Sequence, residues 1–333
     1  MMRCAVLGGG SWGTALAAQL ARAGHETVLW DRNAERCAQM NQEHRNPRYL
    51  REVDLPPTLH ASPDLAEACR GAALVVPSVP SHALRDVMRR AAPSIPVTAS
   101  VCCATKGIED DTLDTMHDVL SAELPGPHRI SMLYGPSFAL EVARGLPTAV
   151  VVAGGDATAH AAADAFHFGA FRTYHTDDVV GVCIGGSLKN VMAIACGVSD
   201  GVGLGANARA AIITRGLAEI TRLAVSMGAN PLTMMGLAGM GDLVLTCTGN
   251  LSRNRRVGLA LGAGRTLDDI LTELGEVAEG VVTASSATKL ARKVGVELPI
   301  TEQVHALLYE GKPAKQAISD LLNRERRAER DDH

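Results

Sequence analysis

The 333-residue sequence predicts an α/β N-terminal domain followed by an all-α C-terminal domain. Three observations carry that prediction. A glycine-rich turn joins the first strand to the first helix, β-branched runs alternate with helical patterns as far as residue 178, and strand-like alternation disappears beyond it. The predicted domains are therefore residues 1–178 and 179–333. A chain this long exceeds what one hydrophobic core ordinarily serves, so size alone also points to two domains.

The first strand and turn, Arg3 to Gly13 (RCAVLGGGSWG), place Gly8, Gly10 and Gly13 in GxGxxG spacing. In that context Gly8 permits the tight turn, Gly10 lets the backbone approach a pyrophosphate, and Gly13 allows close packing of helix on strand, with the helix N-terminus facing the anion. Such a turn alone joins many strands to many helices. Here Thr14 to Arg22 follow as an amphipathic helix, Gly24 ends it, and Glu26 to Trp30 form a second strand closing with Asp31. A carboxylate at that point can hydrogen-bond the ribose 2′-hydroxyl of NAD, whereas Arg32 beside it can pair with the 2′-phosphate of NADP. Both signals are present, and the choice between NAD and NADP stays open.

Further strands are expected at Ala73 to Val76, Val97 to Ala104, Ile130 to Leu133, Thr148 to Ala153 and Phe171 to His175, with helices at Ser81 to Ala91 and Ala157 to Ala165. Pro77, Pro80, Pro93 and Pro96 punctuate strand ends, where a missing donor is tolerable. The second half reads as helices over Val179 to Ala195, Asn207 to Met227, Ser252 to Leu261, Leu267 to Leu274, Val282 to Val294 and Ile300 to Tyr309. Arg324 to His333 is highly charged and reads as a solvated tail or frayed helix end.

Net charge is −4, from 32 Lys+Arg against 36 Asp+Glu, so no field favours nucleic acid or an anionic membrane as partner. The sequence shows no run of about 18 apolar residues, and the N-terminus enters a strand at once, so a cytoplasmic protein with no integral membrane segment is expected. Cys4, Cys37, Cys69, Cys102, Cys103, Cys183, Cys196 and Cys247 are scattered, with no CxxC pair and no zinc-like histidine spacing. They read as small buried thiols, and no metal site is expected.

A nucleotide-binding half followed by a helical half puts a substrate between them, at the carboxyl ends of the parallel strands. Lys106 ends the run VTASVCCATKG and reads either as a strand-end cation or as a group facing that cleft. Lys189 lies in CIGGSLKNVMAIACG, where a cation among small apolar residues is costly without a task or a partner. Desolvation lowers an ammonium pKa, so Lys189 suits proton exchange near neutral pH, while pairing with a carboxylate such as Asp242 in MGDLVLTCTGN is the structural alternative. The two readings are compatible. Ser252, Arg253 and Asn254 in LSRNRRVG stand at a helix start, where a guanidinium fork and free backbone donors suit a phosphate; a solvated basic face is the alternative.

Six blocks, GGGSWGTALA, ATKGIE, GPSFALEVARGLPTAV, GGSLKNVMAIACGVSDGVGLGANARAAIITRGLAE, GLAGMGDLVLTCTGNLSRNRRVG and ELPITEQVHALLYEGK, resemble the bacterial NAD(P)-dependent sn-glycerol-3-phosphate dehydrogenases in order and spacing. The resemblance covers nearly the whole chain. It implies a Rossmann-type N-terminal domain, a helical C-terminal domain, a homodimer, and reversible conversion of dihydroxyacetone phosphate and sn-glycerol 3-phosphate for phospholipid synthesis. It further implies that Lys189 exchanges the proton at the substrate C2 oxygen and that Lys106 contacts substrate and cofactor. Asp242 would help hold the site, with Gly135, Ser137, Ser252, Arg253 and Asn254 as substrate contacts. Ser11, Trp12, Arg32, Ala139, Arg253, Val277 and Glu279 match cofactor contacts. Val277 and Glu279 carry no signal of their own, since Glu276 and Glu279 read as loop acids. Leu140, where the family often has lysine, and Pro77, where an apolar residue is common, depart from the pattern. The rival expectations are another Rossmann dehydrogenase with a helical second domain, and a dinucleotide-binding protein without catalysis.

Overall fold

The computed structural model describes residues 1–325 except 125, 127, 128 and 276; Glu276 and the tail from residue 326 onward lie outside them. Among the described residues, β1 (Arg3–Leu7), β2 (Glu26–Trp30), β3 (Leu59–Ser62), β4 (Leu74–Pro77), β5 (Ser100–Cys103), β6 (Arg129–Tyr134), β7 (Thr148–Ala153) and β8 (Phe171–Thr176) form one sheet. Its order is β3-β2-β1-β4-β5-β6-β7-β8. Neighbours run parallel except β6 and β7, which pair antiparallel. The reversal of strand order between β1 and β4 opens the crevice in which doubly wound sheets bind ligands.

Helices α1 (Ser11–Arg22), α2 (Ala34–Glu43), α3 (Leu65–Cys69), α4 (Ser81–Ala91), α5 (Met116–Glu123), α6 (Ala139–Ala143) and α7 (Asp156–Phe166) accompany the strands. Successive strand residues point to opposite faces, and both faces are covered. Cys4, Val6 and Leu29 join α1 in one core, while Ala5, Leu7, Val28 and Trp30 join α3, α4 and α5 in the other. Strands buried on both sides must be apolar throughout, which is why they read as continuous runs.

The differences from the expected elements have local causes. β3 has four residues with His60 exposed, so no apolar run announced it. β5 starts at Ser100 rather than Val97 because a turn from the Pro96 carbonyl to the Ala99 N–H precedes it. The short helices α2, α3 and α5 are set by side-chain caps from Asn33, Asp64 and Thr115. Pro77 leaves β4 intact, since the Ser78 N–H reaches the Leu7 carbonyl at 2.8 Å and the Pro77 carbonyl accepts from Ala104 at 2.8 Å. Leu140 packs, half-buried, against the core that contains α1.

From Val179 onward the described residues are helical: α8 (Val179–Val202), α9 (Gly205–Ser226), α10 (Asp242–Thr248), α11 (Arg253–Gly262), α12 (Leu267–Leu274), α13 (Glu279–Val294), α14 (Pro299–Tyr309) and α15 (Ala314–Leu322). α8 is the axis of this half. Its Leu188 and Met192 enter one core and its Val191, Ile194 and Val198 enter another. α8 is long and apolar enough to cross a membrane by length and composition, yet 83% of its apolar window is buried within the chain, as in the core helix of a globular fold. α11 lies close on α8 because Gly197 and Gly258 face each other; a Cβ on Gly258 would meet the Gly197 Cα at 2.9 Å. All eight cysteines are free and buried, in line with their expected character.

Candidate active site

Three elements bring charge to one point beside the carboxyl end of the sheet. α8 supplies Lys189, which is 7% exposed in the middle of a mostly apolar helix. A short π-helical turn over Leu237–Gly241 leads into α10 and sets Asp242 at its first position, 1% exposed. The loop after β5 supplies Lys106, whose Nζ stands 5.3 Å from the centre of the Tyr134 ring. That ring is fixed in turn, since the Tyr134 hydroxyl donates to the Thr105 carbonyl at 2.5 Å.

The Asp242 carboxylate joins the two lysines. Lys189 Nζ donates to Oδ1 at 2.5 Å and Lys106 Nζ to Oδ2 at 2.6 Å. Lys189 also donates to Thr246 Oγ1 at 2.9 Å, and Lys106 to the Gly135 carbonyl at 3.4 Å. An ammonium has three donors, so these contacts leave one on each lysine for a further acceptor. Burial pushes the Lys189 ammonium down to about 8; Asp242 opposes the shift and the charge of Lys106 adds to it. Burial alone would raise the Asp242 carboxyl, yet Lys106 and Lys189 hold it below the usual carboxylate range.

The remaining residues fall into neighbouring groups. Ser137 Oγ donates to the same Gly135 carbonyl that receives Lys106, at 3.0 Å. Ser252 caps α11 by accepting from the Arg255 N–H at 3.2 Å, which leaves Arg253, half-buried, at the first position of that helix. The Asn254 side chain points inward: Nδ2 donates to Asn190 Oδ1 at 2.9 Å and Oδ1 accepts from the Gly280 N–H at 2.9 Å. Asn190 follows Lys189 on α8, so α11 is registered against the catalytic candidate. Glu279, half-buried at the start of α13, accepts from Ser81 Oγ at 2.6 Å and from the Ser81 N–H at 3.2 Å, tying the helical half to α4. Burial raises its carboxyl, partly offset by Ser81. Val277 is partly exposed nearby in sequence. Among the described residues, no hydrogen bond or ion pair joins Val277, Arg32, Trp12 or Ala139 to Lys106 or Lys189.

The glycine turn fits a dinucleotide. Gly8 has φ +126°, and a Cβ there would meet the Ser78 carbonyl oxygen at 2.8 Å. A Cβ on Gly13 would collide with the Gly8 carbonyl, whereas one on Gly10 would meet nothing within 4 Å, so the turn is packed on one side and open on the other. Gly10 precedes α1 without a side-chain cap, leaving the first N–H groups of that helix for an anion. Ser11 and Trp12 form its first turn, and the buried Trp12 Nε1 has no hydrogen-bond partner. Asp31, at the end of β2, is bonded to the Arg36 guanidinium at 2.7 Å.

Thr246, Asn190 and Tyr134 were not legible as site residues. Thr246 lies four residues after Asp242 and hence on the same helix face, a signal available once 242–248 is read as a helix.

A doubly wound sheet with a capless glycine turn, joined to a helical half whose Lys189 and Asp242 meet Lys106 from the sheet, defines a dinucleotide-dependent oxidoreductase. Residues 3–160 match the family described as NAD-dependent glycerol-3-phosphate dehydrogenase N-terminus, and residues 178–319 match its C-terminus. The glycerol-3-phosphate dehydrogenase [NAD(P)+] of Anaeromyxobacter sp. (strain K) is 54% identical over 98% of this chain and 100% of its own length. That of Myxococcus xanthus is 52% identical over 98% and 99%. The crystal structure of glycerol-3-phosphate dehydrogenase from Coxiella burnetii superposes with a TM-score of 0.93 at 42% identity, covering 97% of this chain and 99% of that one. The chain belongs to the NAD-dependent glycerol-3-phosphate dehydrogenase family. A ketopantoate reductase from Ralstonia eutropha, at 17% identity and TM-score 0.61, shares the fold alone.

Proposed function

We propose that this chain interconverts dihydroxyacetone phosphate and sn-glycerol 3-phosphate with NAD(P)H or NAD(P)+, and that the product feeds phospholipid synthesis. The observation that carries this reading is the pair of ammonium groups on Asp242, Lys189 buried and Lys106 partly buried, each with a donor to spare. Gly8, Gly10, Gly13, Ser11, Trp12, Ala139, Val277 and Glu279 would hold NAD(P)H, which when bound would supply a hydride for C2. Lys189 donates its proton to the C2 oxygen as negative charge develops there, and recovers it in the reverse direction. A pKa of about 8 keeps Lys189 protonated at neutral pH yet close to exchange. Lys106 adds a second positive charge at that oxygen, which lowers the barrier by electrostatic stabilisation. Asp242 keeps both lysines aimed at one point. Arg253 and the first N–H groups of α11 take the phosphate, while Ser252 and Asn254 fix that helix start; Gly135 and Ser137 line the substrate beside Lys106.

Within this reading, residues 1–178 form the dinucleotide-binding domain, residues 179–333 the substrate-binding domain, and the protein works in the cytoplasm as a homodimer. Light scattering at twice the chain mass is the expected result, and a monomer contradicts the dimer.

The decisive assay follows oxidation of NADH and NADPH with dihydroxyacetone phosphate against 2-oxo acids and an acyl thioester. Turnover confined to dihydroxyacetone phosphate is expected. Preference for another substrate favours the rival dehydrogenase reading, and no turnover at all favours a binding protein.

A further inference from the structure

Asp31 ends β2 where a carboxylate would read the ribose 2′-hydroxyl, but both of its oxygens are engaged within the chain. Oδ1 accepts from the Asn33 N–H at 2.9 Å and Oδ2 from Arg36 Nη1 at 2.7 Å. The pair is enclosed, with side-chain exposures of 5% for Asp31 and 16% for Arg36. Arg36 is held there from two sides. Its backbone N–H donates to Asn33 Oδ1 at 2.8 Å, and its guanidinium lies 5.5 Å from the centre of the Tyr49 ring. Arg48 approaches the same ring at 5.4 Å and donates to the Gly275 carbonyl at 3.0 Å. Arg32, next to Asp31, is exposed and takes part in none of the hydrogen bonds or ion pairs among the described residues.

We infer that Arg36 decides which dinucleotide this chain takes and that it selects the 2′-phosphorylated one. The inference rests on the dinucleotide site described under the proposed function. A free carboxylate at the end of β2 would repel a 2′-phosphate and reward a 2′-hydroxyl. Paired with Arg36, Asp31 contributes no net charge and offers no unengaged oxygen. Arg32 then stands uncommitted at the same strand end with a planar fork suited to phosphate. Arg36 acts through Asp31, as a positioning and charge-neutralising residue, and Arg32 makes the contact.

Competition binding to the intact protein tests this without turnover, using adenosine 2′,5′-bisphosphate and ADP as probes against bound NADPH fluorescence. Wild type is expected to bind the bisphosphate at least fivefold more tightly than ADP. Arg36→Gln is expected to lower that ratio at least fivefold, and Arg32→Ala to lower it as well. Asp31→Asn combined with Arg36→Gln removes the released charge and is expected to return the ratio to within threefold of wild type. This rescue separates charge release from misfolding or loss of a direct contact. A wild-type ratio under fivefold, an Arg36→Gln ratio that moves less than fivefold, or a double variant without rescue overturns the inference. Failure of the dehydrogenase reading appears separately, as absence of turnover with dihydroxyacetone phosphate while the binding ratios stand.

Discussion

The Lys189 ammonium lies 2.5 Å from Asp242 Oδ1, with both groups enclosed by the helical half. Coulomb attraction to this carboxylate opposes the burial that drives Lys189 toward its neutral form. Replacing Asp242 by Ala leaves two cations facing one another without their shared counter-ion. Removing one partner of a buried pair costs roughly 3–5 kcal/mol, so a clear fall in melting temperature is expected, together with a rate loss of about a hundredfold or more. Calorimetry and steady-state kinetics on Asp242→Ala check this; wild-type stability and rate would contradict the linkage.

The pKa of about 8 fixes the pH dependence. Under the proposed function, reduction needs the protonated amine, so kcat/KM should hold below pH 8 and fall as pH rises through it. Oxidation needs the neutral amine, so kcat/KM should climb up to about pH 8 and level off. Profiles in both directions should mirror each other, and two profiles with the same slope would assign the proton to another group.

Under the proposed function, Arg253→Ala removes a charge-assisted contact to the phosphate that ground and transition states would share. KM for dihydroxyacetone phosphate should rise by about ten- to a hundredfold, with kcat changing far less. A loss confined to kcat would place Arg253 at the reacting atoms instead.

Glu219, in α9, accepts from the Ile300 N–H at 2.7 Å and from the Thr301 N–H at 3.3 Å, capping α14 from outside that helix. Burial raises its carboxyl from 4.5 to about 7. Between those values the folded chain holds a proton that the unfolded chain has released, so stability falls as pH rises from 4.5 to 7. The contribution is on the order of 3 kcal/mol. In Glu219→Gln that slope should vanish from chemical denaturation curves measured across the window; an unchanged slope would assign it elsewhere.

The sequence displayed the site unevenly. Gly8 and Lys189 were legible because each violates a local rule: a glycine where φ is positive, and a cation in an apolar helix. Arg253 was legible as a basic residue at a helix start, and the structure places it at the first position of α11 with Ser252 as its cap. Asn254 was less so, because its amide turns away from the helix start to join Asn190 and Gly280, a contact 64 residues long-range in sequence. Ser81 and Glu279 are 198 residues apart, and no local pattern could announce their pairing. The short edge strand β3 and the helices set by caps were missed for a related reason, since neither presents an apolar period long enough to stand out. Asp31 marks the limit most clearly. Its position at the end of β2 was evident, but its engagement by Arg36 depends on how the next helix begins.

Lys189→Ala, assayed for dihydroxyacetone phosphate reduction alongside NADPH binding by fluorescence titration, tests the role of this residue most directly. Turnover should fall by at least a thousandfold while cofactor affinity stays within about threefold of wild type. Near-normal turnover in a variant that still binds NADPH would contradict the assignment of Lys189 as the proton donor.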